Sequence, residues 1–91
     1  MVKSYQTVQF WAVTKTRNDR YLKAFGENVR KLRQSRNLSQ EELYDLAGLS
    51  KNQIGNIERG EVNTTISTAF AIASALNIPI SELFQFEYSP S

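Results

Sequence analysis

The sequence predicts a compact all-α domain of five short helices. Three observations carry that prediction. From Tyr21 onward, apolar residues recur at intervals of three and four rather than in strict alternation. Serine, threonine, glycine and asparagine break that pattern where helices open and close. A length of 91 residues allows one small helical core and no large enclosed active site.

The first helix is expected from about Arg20 to Ser35, with Asp19 as its cap. Leu22, Phe25, Val29, Leu32 and Ser35 share its stripe, Arg30, Lys31 and Arg36 fall largely outside it, and Asn37 is a left-handed stop. Ser39, with Glu42 three residues later, is a capping box that opens the second helix. Leu43, Leu46 and Ala47 form its inner face, and Gly48 ends it by accepting a positive φ. Ser50 with Gln53 opens the third helix in the same way; Ile54 and Ile57 face inward and Gly60 closes it. Thr65 caps a fourth helix lined by Ile66, Ala69, Phe70, Ala73 and Leu76 and stopped by Asn77. Ser81 caps a short fifth helix around Glu82-Leu83-Phe84. The core list is Phe25, Leu32, Leu43, Leu46, Ile54, Phe70 and Leu76.

The expected organisation has three parts. Residues 1–18 are an extension, either a strand or a disordered arm, in which Val8 to Val13 is β-prone. Residues 19–86 are the folded domain, and 87–91 are a tail.

Composition removes several kinds of chemistry. There is no cysteine and no histidine, so disulfides, thiol chemistry, the usual zinc sites and histidine-dependent triads are excluded. No cofactor or metal is expected. No segment approaches the roughly 18 apolar residues of a membrane helix, and no secretory h-region is visible, so a cytoplasmic protein without a membrane partner is expected. Glu41, Glu42 and Asp45 are the one acidic cluster and have no metal-ligating neighbour, which argues against an enzyme.

The net charge of +2 says little; its distribution says more. Residues 1–20 carry four basic side chains against one acidic, and 21–60 carry seven against five. Residues 61–91 carry three acidic side chains and no basic one. Such a gradient would orient the protein on a polyanion.

The order of motifs resembles the lambda-repressor-like, Cro/Xre-type helix-turn-helix DNA-binding domains. The resemblance rests on Val29-Arg30-Lys31-Leu32-Arg33, then Leu38-Ser39-Gln40-Glu41-Glu42-Leu43, then Ala47-Gly48-Leu49-Ser50. It continues with Ile54, Ile57-Glu58-Arg59-Gly60 and closes with Ile78-Pro79-Ile80-Ser81-Glu82-Leu83-Phe84. Within that family the chain looks closest to restriction–modification controller proteins and small phage-type repressors. Tyr44 departs from the small residue usual there, and residues 1–18 have no counterpart.

The resemblance implies that the third helix, about 51–59, enters the major groove of double-stranded DNA. Base contacts then fall to Lys51, Asn52 and Asn56, with Gln53 divided between base contact and capping. Glycine at position 55 would let the helix approach a base edge. Gln40 and the loop residues Arg59, Asn63, Thr64 and Thr65 would hold phosphates, Thr65 also serving as a cap. Arg33 and Glu58 would form a structural ion pair. Specific binding implies a homodimer on an inverted-repeat operator. Ile80, Phe84, Phe86 and Tyr88 are its expected face, and residues 1–18 a second candidate. The expected function is dimeric transcription regulation; the alternative is a protein-interaction module, such as an antitoxin, on the same fold.

Overall fold

The computed structural model describes residues 17–89. Four α-helices lie in them: α1 Asp19–Ser35, α2 Gln40–Ala47, α3 Lys51–Glu58 and α4 Ile66–Leu76, followed by a 3-10 helix at Ile80–Phe84. No strand occurs among the described residues. The β-prone run at Val8 to Val13 lies outside them.

Local chemistry sets the boundaries. Asn18, and not Asp19, caps α1, its side chain accepting from the Tyr21 N–H. Asp19 is instead the first helical residue, where its charge suits the helix dipole. Both capping boxes form in full. Ser39 and Ser50 accept from the N–H groups of Glu42 and Gln53, whose side chains accept in return from the serine N–H groups. Thr65 caps α4 through the Thr68 N–H. Gly48 takes φ 70°, and Asn37 and Asn77 take φ 57° and 59°, so three chain reversals use left-handed residues.

The fifth helix is not an α-helix. It is a five-residue 3-10 turn that follows Pro79, and Ser81 does not cap it. Asn28 of α1 holds it from outside, donating to the Glu82 and Leu83 carbonyls at 3.0 and 2.8 Å. Leu83 is thereby fixed in the core, fully buried.

The core comprises Phe25, Val29, Leu43, Ile54, Ile57, Ala69, Ile72, Ala73, Leu76 and Leu83. Leu32 packs at its edge. Two expected members are outside: Leu46 and Phe70 are each 62% exposed, and Ile66 is 83% exposed. On α4 the inward stripe is Ala69, Ile72, Ala73 and Leu76. Phe70 lies about 100° round the helix from Ala69 and leaves that face. On α2, Tyr44 packs against the core and Leu46 turns to the surface. Tyr44 is half-buried at the edge of the core.

Helices α1 and α3 cross very closely at Gly26. A Cβ there would stand 2.7 Å from the Glu58 carbonyl oxygen and nearer still to that of Ile57. Glycine is the residue that permits this approach. It fixes the position of α3, on which the site depends.

Candidate nucleic-acid interface

Helix α3 opens directly after a sharp turn. Gly48 ends α2, Leu49 spans the gap, and Ser50 caps α3. Ile54 and Ile57 anchor the inner face, leaving Lys51, Asn52 and Gln53 exposed and Asn56 half-buried. The outer surface of this helix thus carries amides and one ammonium group, the donors and acceptors that read base edges.

Gln53 has a defined local task. Its Oε1 accepts from the Ser50 N–H at 2.9 Å, which leaves Nε2 as the side chain's donor group. Arg59 lies along the same helix: its Nη2 donates to Asn56 Oδ1 at 2.5 Å and its Nε pairs with Glu61 at 3.2 Å. Gly55 is buried beneath that guanidinium, and a Cβ at Gly55 would stand 3.1 Å from Arg59 Nη1. In this structure the missing side chain makes room for Arg59.

A shallow groove of about 270 Å³ runs beside α3. Asn52, Gln53 and Asn56 line it from the helix, and Asn63, Thr64 and Thr65 from the following loop. Six of the nine expected base or phosphate residues, Thr65 among them, therefore share one surface; Lys51, Gln40 and Arg59 lie outside this groove. The Thr64 hydroxyl is buried with no hydrogen-bond partner.

Gln40, the first residue of α2, turns toward the back of α3. Its Nε2 donates to Glu58 Oε1 at 2.9 Å. Glu58 also accepts from Arg33, at 2.7 Å from Nε and 3.0 Å from Nη2. Arg33 Nη1 reaches the Leu38 carbonyl at 2.9 Å. Three elements are thus bound through one carboxylate, and the start of α2 is held against the end of α3. The role of Glu61 as a partner of Arg59 was not anticipated from sequence; its nearness to Arg59 was the available signal.

Residues 29–83 match the family model described as Helix-turn-helix. The chain belongs to that family. The helix-turn-helix fold is shared with solved structures: the restriction–modification controller protein C.AhdI from Aeromonas hydrophila superposes with a TM-score of 0.68 at 41% identity, over 69% of this chain and 96% of that one. Control protein C.SmaI of Serratia marcescens is 47% identical over 57 residues, which are 63% of this chain and 68% of that protein. Control protein C.BamHI of Bacillus amyloliquefaciens is 38% identical over 72 residues, 78% of this chain and 86% of that protein. The helix-turn-helix family is a non-enzymatic class of DNA-binding transcription regulators, and regulation through DNA binding is the function this chain shares with it. No helix among the described residues is long and apolar enough to cross a membrane.

Proposed function

We propose that the protein binds an inverted-repeat operator as a homodimer, with α3 of each copy in the major groove. The amide-bearing surface of α3 beside the loop groove carries this reading. Lys51, Asn52 and Asn56 read bases, with asparagine suited to adenine and lysine to guanine. The second N–H of Gln40, Arg59, Asn63, Thr65 and the main chain at Thr64 hold phosphates on either side. The partly positive N-terminus of α2 adds to the pull on a phosphate.

The dimer reading rests on uncovered apolar surface. Ile66, Phe70 and Phe84 are 83%, 62% and 45% exposed. Of the other expected face residues, Ile80 and Phe86 pack against the core, and Tyr88 lies edge-on to Tyr21 at 5.0 Å. We therefore centre the self-association face on Ile66, Phe70 and Phe84. A two-fold pair would place two α3 helices on half-sites about 34 Å apart.

Selection of duplexes from a random library tests the proposal. The expected result is an inverted repeat with half-sites one turn apart. Asn56→Ala should then relax one position in each half-site, by about 1–3 kcal/mol of discrimination. Weak, salt-sensitive and sequence-independent binding would overturn it in favour of a protein-interaction module.

A further inference from the structure

The chain leaving α3 folds back onto Asn56. Gly60 takes φ 73°, a left-handed conformation that ends the helix. Its N–H donates to the Ile57 carbonyl at 3.0 Å, and the Glu61 N–H donates to the Asn56 carbonyl at 2.9 Å. These two bonds make a Schellman motif. The Glu61 main chain is also held from the other side, its carbonyl accepting from Arg17 Nη2 at 2.7 Å. The reversal sets the Glu61 carboxylate beside Arg59, whose Nε it meets at 3.2 Å.

From there the guanidinium reaches Asn56. Arg59 Nη2 donates to Asn56 Oδ1 at 2.5 Å, and Gly55, with no side chain, leaves it the room. The chemistry permits only this sense of the amide. A guanidinium has donors and no acceptor, so it must face the amide oxygen and not the nitrogen. Asn56 Nδ2 keeps its N–H groups for another partner. Asn52 differs: it is exposed, and no hydrogen bond ties its amide among the described residues. Reading adenine with both amide atoms needs oxygen and nitrogen together, to accept from N6 and donate to N7. Guanine presents two acceptors, O6 and N7, and asks only for N–H groups.

We propose that Arg59, anchored by Glu61, is a positioning residue that sets the base read by Asn56 to guanine, while Asn52 stays free to read adenine. This rests on the reading that α3 enters the major groove. Arg59 Nη1 is still available to a phosphate, so one guanidinium serves both the DNA backbone and the base-reading amide. The two roles separate by experiment. A phosphate contact acts alike on every sequence, whereas a positioning contact acts on one base.

The test compares four duplexes that differ only at the operator position relaxed by Asn56→Ala. The unaltered protein should favour guanine over adenine there by about tenfold. Arg59→Met keeps an unbranched stem without a donor, and should bring adenine level with guanine at that position alone. Glu61→Ala should shift the ratio the same way while overall affinity rises, because an acid is removed from beside the phosphates. The side chains of Arg59 and Glu61 are 58% and 57% exposed, so both variants should fold, as circular dichroism checks. Adenine favoured by the unaltered protein would overturn the proposal, as would a ratio that neither variant shifts. Uniform weakening of all four duplexes by Arg59→Met, with the ratio unchanged, would make Arg59 a phosphate ligand only and overturn it too. Failure to select any operator overturns the operator reading and this inference together; a selected operator with the wrong base at this position overturns this inference alone.

Discussion

Arg33 and Glu58 meet through two parallel hydrogen bonds while their side chains are only 10% and 2% exposed. A buried pair of this geometry offsets the cost of desolvating both charges, but neither charge is tolerated alone. Glu58→Ala should cost about 3–5 kcal/mol in urea denaturation, because it strands the guanidinium and frees Gln40. Replacing both residues by apolar side chains of similar volume should cost much less than the sum of the single changes.

The close crossing of α1 and α3 gives a second expectation. Gly26→Ala should destabilise the fold by about 1–3 kcal/mol, since the new methyl meets rigid main chain. It should also weaken DNA binding measured under fully folded conditions, because α3 must shift. Gly48→Ala is the comparison. Its Cβ would meet nothing within 4 Å, so only the left-handed conformation opposes it, at about 1–2 kcal/mol.

Gln53 separates capping from recognition. Its Oε1 is engaged by the Ser50 N–H. Gln53→Ala should therefore lower the melting temperature modestly while leaving the selected operator sequence unchanged. A changed consensus with unchanged stability would show that Nε2 reads a base and that the cap is incidental.

Phe70 isolates self-association from folding, since it lies outside the core. It is 62% exposed, so Phe70→Asp should fold normally. Sedimentation should show a shift toward monomer, and affinity for a two-half-site duplex should fall far more than affinity for a single half-site. Equal losses on both duplexes would argue against Phe70 as a contact between copies.

Tyr44 supplies a pH dependence. Burial raises its phenol above the usual value of 10.0, and the nearby charges of Glu41 and Asp45 raise it further. A raised folded value means the stabilising form is fully present below about pH 10 and is lost as pH climbs through that value. Stability measured by urea should fall above about pH 10, and Tyr44→Phe should make the fall shallower. An identical fall in the variant would assign it to other groups.

Much of the fold was legible because its punctuation is local. Ser39 with Glu42, Ser50 with Gln53, Thr65, Gly48 and Asn77 each act within a few residues of themselves, and each does so in the structure. The stripe of α4 was less legible. The sequence ISTAFAIASAL is apolar on several faces, so spacing admits both Ile66–Phe70 and Ala69–Ile72 as the inner edge. Packing chooses the small alanines, which let α4 sit close. Leu46, expected inside, is likewise exposed, while Tyr44 packs at the edge of the core. The same holds within the site. The bond from Gln40 to Glu58 and that from Arg36 to the Leu76 carbonyl at 2.8 Å join residues 18 and 40 positions apart. No short pattern announces them.

The hydrogen bond between Asn18 and Tyr88 brings the entry and exit of the helical body side by side. A body whose ends adjoin can be spliced into a surface loop of a host protein without prising that loop apart. It can also be permuted, with old ends joined by a short bridge and new ones opened away from the α2–α3 unit and the loop that follows it. Such a rearranged chain would keep α2, the turn at Gly48 and α3 continuous, and so carry the recognition unit as a portable cassette.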